Sequence, residues 1–111
     1  MAENINQYYL ERREHRRIPF NREVEVIGRG MFLCSSLSGG GLYLETVNAI
    51  PVGTVVDLRI KLHATDAHPL KIKACVIYVY ERAGVGIRFV DLNLEDREKI
   101  VRFVEHHKHK I

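Results

Sequence analysis

Residues 54–62 read TVVDLRIKL, and they alternate. Val56, Leu58, Ile60 and Leu62 share one parity, and Asp57, Arg59 and Lys61 share the other. Successive side chains of a β-strand point to opposite faces, so this segment predicts a strand with one dry face and one wet face. A helix would scatter the same residues around its circumference. A chain holding such a segment must also supply partner strands and a core for the dry face.

The partners are visible on both sides. EVEVI (23–27) places Val24 and Val26 on one face, GRG (28–30) offers a glycine turn, and MFLCS (31–35) reads as the returning strand. GLYLET (41–46) sets Leu42 and Leu44 against Tyr43 and Glu45. LKIKACVIYVYE (70–81) turns Leu70, Ile72, Ala74 and Val76 inward, and RAG (82–84) leads into VGIRFVD (85–91). Pro51 and Gly53 mark one loop and HATDAHP (63–69) another.

The last segment changes period. NLEDREKIVRFVEHHK (93–108) opens on Asn93 as N-cap, with acids in the first turn where they suit the helix dipole. Leu94, Arg97, Ile100, Val101, Val104 and Lys108 fall near one face, and Ile100, Val101, Phe103 and Val104 supply an apolar stripe. Six strands joined mostly by short turns favour antiparallel pairing in a small closed or partly open barrel. The helix is expected to cover an open end or pack on the side.

With 111 residues and 46% hydrophobic side chains, the chain fits one domain with one core. We expect that domain over 11–111, preceded by a flexible arm at 1–10. Cys34 and Cys75 fall in predicted strands without metal-ligand spacing, and read as core packing. No apolar run is long enough to span a bilayer and the first residues lack a signal peptide's apolar centre, which leads to the expectation of a cytoplasmic protein without membrane insertion.

Net charge is +3 and the isoelectric point is about 9.0. That excess is mild and does not itself imply nucleic acid. Its distribution is uneven: RREHRR (12–17) holds Arg12, Arg13, Arg16 and Arg17 in six positions, with Arg22 close behind. A second unusual stretch is SLSGGG (36–41). Ser36 and Ser38 stand two apart, so on an extended segment both hydroxyls face the same way. Three glycines after them permit a sharp bend or the close approach of a ligand to the backbone.

Taken together, these stretches resemble the PilZ family of cyclic di-GMP receptors, whose signature is R-x-x-x-R followed by [D/N]-x-S-x-x-G. Arg12/Arg16 and Arg13/Arg17 both have the first spacing, and the run-in ERREHRRIPF fits best with Arg13 and Arg17 as the pair. Ser38 and Gly41 match the second half, Ser36 stands where the family has Asp or Asn, and GVGIRF (84–89) is similar to the family's final strand. The resemblance implies a mainly β fold, a six-stranded antiparallel barrel of the split-barrel type with a C-terminal helix. It also implies cyclic di-GMP as ligand, contacted by Arg12, Arg13, Arg16, Arg17, Ser36, Ser38 and Gly41. In the family, binding orders the arginine segment against the barrel and so signals to a partner. An arginine at Arg12 is associated there with uptake of a stacked pair of ligand molecules.

The chemistry suits that ligand. Arginine binds phosphate oxygens bidentately, donates two hydrogen bonds to guanine O6 and N7, and stacks on bases. A serine hydroxyl at position 36 accepts fewer bonds from guanine N1 and N2 than a carboxylate, a loss of about 1–3 kcal/mol, or roughly ten- to hundredfold in affinity. Position 36 therefore keeps open an alternative, a PilZ-like adaptor that binds a protein partner without the nucleotide. A small nucleic-acid-binding barrel is a further alternative. Tyr43, Tyr78 and Tyr80 are available for stacking, but no aromatic cluster stands out in the sequence and the charge is mild.

Catalysis finds no support: no Walker loop, nucleophile elbow or paired acids are present. No cofactor is expected. EHHKHK (105–110) could offer His106, His107 and His109 to a metal, but cations at the negative end of a helix dipole explain it more simply, and no metal site is assigned. The downstream protein effector is not named by the sequence.

Overall fold

The computed structural model describes residues 16–108. The expected arm at 1–10, Arg12, Arg13 and His109 lie outside the described residues. Six strands follow in order: β1 Ile18–Val26, β2 Gly30–Leu37, β3 Gly41–Glu45, β4 Val55–Ile60, β5 Leu70–Tyr80 and β6 Gly84–Asp91. Helix α1 spans Leu94–Lys108. The strands close into an antiparallel barrel in the order β1-β2-β3-β6-β5-β4. No helix among the described residues is long and apolar enough to cross a membrane.

The alternating segments point as expected. Val56, Leu58, Ile60 and Leu62 are buried, as are Leu42, Leu44, Ile72, Ala74, Val76, Val85, Ile87 and Phe89. Together with Val24, Val26, Cys34 and Leu37 they fill one continuous core. The connectivity is less local than short turns implied. β3 pairs with β6 and β1 with β4, so the barrel closes through partners distant in sequence.

Bulges in β1, β2 and β5 shape the wall. β1 begins at Ile18, earlier than the expected 23. Asn21 sits at φ 52, and the pairing with β2 shifts between Pro19 and Arg22. Asparagine tolerates this left-handed conformation, and the extra residue carries the strand through a stretch with no obvious pairing signal. β2 likewise runs to Leu37, past the expected 35, because its pairing with β3 shifts between Cys34 and Ser36. In β5 the register shifts between Val76 and Tyr78, which leaves Ile77 exposed and turns Tyr78 and Tyr80 to the outer surface.

α1 starts as read. The Asn93 side chain accepts from the Asp96 amide at 2.8 Å, and Glu95 and Asp96 fill the first turn. Ile100, Phe103 and Val104 are buried, and the Phe103 ring meets Phe20 of β1 edge-on at 5.8 Å. Leu94, expected near the same face as this stripe, is 70% exposed.

Candidate functional site on the outer wall

Antiparallel order brings the start of β1, the β2–β3 turn, the β4–β5 loop and the end of β6 to one end of the barrel. Arg16 and Arg17, the described end of the first distinctive stretch, therefore lie at the same end of the barrel as the second. Register partners run across the wall as Pro19, Ser36, Tyr43, Gly86 and Tyr78, on β1, β2, β3, β6 and β5 in turn.

Arg17 precedes the first residue of β1 and lies over this row. Its guanidinium donates from one nitrogen to the Ser36 hydroxyl oxygen at 3.4 Å and from the other to the Tyr78 hydroxyl at 3.5 Å. Both contacts are long and exposed, so the guanidinium rests on the wall and is readily drawn away by a stronger anionic acceptor. Arg16 is also exposed at the approach to β1. Arg22 is engaged elsewhere. It donates to the Leu62 carbonyl at 2.9 Å and to the Lys61 carbonyl at 3.5 Å, satisfying loop backbone where β1 and β4 have separated.

Ser36 and Ser38 do not act side by side. Strand β2 ends at Leu37, and the chain folds so that Ser38 is 1% exposed. The Ser38 hydroxyl accepts from the amides of Gly40 and Gly41 and donates to the Gly41 carbonyl at 3.1 Å. It holds the turn together, while Ser36 faces Arg17. Gly41 is required by contact: a Cβ there would overlap the backbone carbonyl of Ile87 on β6. The turn thus fixes the backbone of 38–41 against the end of β6.

The structure also contains a feature that the sequence reading missed. Tyr43, Tyr78 and Tyr80 form an aromatic cluster on the outer wall, the first two half-buried and Tyr80 exposed, with ring centroids 6.5 Å, 6.2 Å and 5.1 Å apart. Their sequence signal is the pair Gly84 and Gly86. Both occupy outward positions on β6, and aromatic rings from β3 and β5 settle over them. Slight burial, and then the neighbouring Tyr78, Glu45 and Tyr80, push the Tyr43 hydroxyl above the ordinary phenol pKa, so it stays protonated and able to donate.

Other features are more simply structural. Cys34 is buried, and desolvation pushes its thiol up to about 12. Among the described residues no cluster of His, Cys, Asp and Glu is placed to hold a metal ion. A cavity of about 500 Å³ lies between α1 and the 63–68 loop; His107 lines it, stacked on Phe103 at 3.9 Å.

A closed six-stranded antiparallel barrel, with one helix packed against it and arginines ahead of β1, defines a class of small β-barrel domains. The PilZ domain family model matches residues 11–106, so the chain belongs to that family. Solved structures agree on the fold. MotI/DgrA, an inhibitor of motility from Bacillus subtilis, aligns with a TM-score of 0.75 at 14% identity, over 85% of this chain and 49% of that one. YcgR from Escherichia coli, solved in complex with c-di-GMP, aligns at 0.64 and 14% identity, over 86% and 45%. The PilZ domain of CeSA from a cellulose-synthesizing bacterium aligns at 0.57 and 25% identity, over 85% and 99%. The chain thus spans about half the length of the first two. No curated protein matches it.

Proposed function

We propose that the chain is a receptor for cyclic di-GMP that binds the nucleotide on the outer wall and passes the signal to a protein partner. One observation carries this reading: Arg17, from the first half of the family signature, meets Ser36, from the second, at 3.4 Å. The two halves converge on a surface where phosphate and guanine could be held together. Family membership supports the ligand class, and the structure of YcgR with c-di-GMP supports it by analogy.

In this reading Arg13 and Arg17 clamp phosphate and guanine, with Arg12 and Arg16 adding charge. Ser36 accepts from a base edge, and the Ser38–Gly41 turn offers backbone groups. Ligand draws the arginine segment onto the wall and changes the surface that a partner meets. Arg12 supports uptake of two stacked ligand molecules, and the stoichiometry of a titration decides that point.

The reading is tested by calorimetric titration with cyclic di-GMP, with GTP and a short single-stranded DNA as controls. We expect saturable binding of cyclic di-GMP at about micromolar Kd or tighter, and its loss in Arg17→Ala. Absence of heat with the wild-type chain would favour the adaptor reading instead, which rests on the missing carboxylate at Ser36.

A further inference from the structure

Resting on that receptor reading, we infer that Tyr43 and Tyr78 form the surface on which a guanine of the ligand stacks, and that Glu45 reads the edge of that base. Neither role belongs to the arginine segment or to the serine–glycine turn.

The argument begins with Gly86. It is the register partner of Tyr43 on β3 and of Tyr78 on β5, so it lies between the two tyrosines with no side chain of its own. The Tyr78 ring settles into that gap, and a Cβ on Gly86 would overlap it. The Tyr43 ring reaches Gly84 in the same way, at 2.6 Å from where a Cβ would stand. Rings laid down on bare backbone turn a face to solvent, whereas rings wedged upright between side chains present edges. Tyr43 and Tyr78 are inclined by only 31°, while Tyr80 stands at 63° to Tyr78 and walls off one side.

A half-buried pair of aromatic faces, inclined to each other by 31°, is a surface a purine can lie on, because stacking exchanges two wet faces for one dry contact. Arg17 completes it. Its guanidinium is held at the Tyr78 hydroxyl, where it can meet a phosphate attached to a base lying on the rings.

Stacking alone does not select a base. Selection needs a partner for the base edge, and Glu45 is in place. It is the next outward residue on β3 after Tyr43, opposite the bare Gly84. With Tyr43 and Arg82 it lines a hollow of about 410 Å³. Guanine presents two adjacent donors, N1–H and N2–H, and a carboxylate accepts both. Adenine offers an acceptor at N1 and is refused. Glu45 thereby supplies, on the same wall, the carboxylate that position 36 lacks.

The test uses the full chain, with cyclic di-GMP and cyclic di-AMP as probes and calorimetry as readout. Tyr78→Ala should weaken cyclic di-GMP binding about ten- to hundredfold, and Tyr78→Phe, which keeps the ring, should stay within about threefold of wild type. Glu45→Gln should reduce the preference for the guanine ligand about tenfold or more. The chain has five tyrosines and no tryptophan, so tyrosine emission is directly readable, and saturating cyclic di-GMP should quench it in the wild type. Wild-type affinity in Tyr78→Ala, or unquenched emission at saturation, overturns the platform while leaving the receptor intact. An unchanged base preference in Glu45→Gln overturns the role of Glu45. Should Tyr78→Ala fail to fold, quenching of the wild type decides. A wild-type chain that binds neither probe overturns the receptor reading, and this inference with it.

Discussion

Arg17 and Tyr78 lie 61 positions apart in sequence, and their side chains meet at 3.5 Å on the outside of the barrel. The opposite nitrogen of the same guanidinium reaches Ser36 at 3.4 Å. A planar fork spans the two hydroxyls; a single ammonium cannot. Arg17→Lys should therefore weaken cyclic di-GMP binding about tenfold despite keeping its charge, with an unchanged melting temperature. Calorimetry beside a thermal melt checks both halves, and wild-type affinity in the lysine variant would contradict the bidentate role.

Ser36→Asp restores the residue type that the family signature carries. The carboxylate can accept from Arg17 or from guanine, with stronger, charge-assisted bonds. We expect cyclic di-GMP to bind about ten- to hundredfold more tightly, by roughly 1–3 kcal/mol. A titration of this variant against the wild type measures it. Weaker binding would mean that the aspartate holds Arg17 too firmly to release it.

Ser38 and Gly41 should reveal themselves through stability. Ser38→Ala leaves the buried Gly41 amide without its side-chain acceptor, a loss of about 1–3 kcal/mol. Gly41→Ala is expected to cost at least as much, since its Cβ meets the Ile87 carbonyl and forces β3 from β6. Urea unfolding curves for both variants give the values. Unchanged midpoints would show that the turn is not held as described.

The thiol of Cys34 makes stability depend on alkaline pH. Burial raises its pKa from 9.0 to about 12, so between those values the folded chain holds a proton that the unfolded chain releases. The stabilising contribution is complete below pH 9.0 and is lost as pH rises toward 12, at up to about 1.4 kcal/mol per pH unit. Unfolding curves at pH 8, 9 and 10 should show a steeper decline for the wild type than for Cys34→Ala. Equal slopes would contradict the desolvated thiol.

Local pattern was enough for much of this fold. The clean alternation of β4 and the Asn93 cap both stand in the structure where the sequence places them. The first half of β1 was hidden because Asn21 forms a bulge, and a bulge changes the pairing that period-two reasoning assumes. The end of β2 was hidden for the same reason. The aromatic wall escaped a different way. Tyr43 and Tyr78 become neighbours only through β3–β6 pairing, which no local pattern states, although Gly84 and Gly86 marked where rings could lie. The arginines and Ser36 were legible as a family resemblance, whereas the contact between Arg17 and Ser36 required the folded wall.

The shortness of the β1–β4 ladder has a dynamic consequence. It pairs Glu25 with Arg59 and Val26 with Leu58, and beyond it the Arg22 side chain bridges to the Leu62 carbonyl. On its other side β4 is paired with β5 from Val55 to Ile60. The cylinder is thus a long sheet fastened along one brief seam, and local opening there can leave the other ladders intact. Amides near this seam should exchange with solvent ahead of those on β5, and the two strand edges so released are free to join another chain.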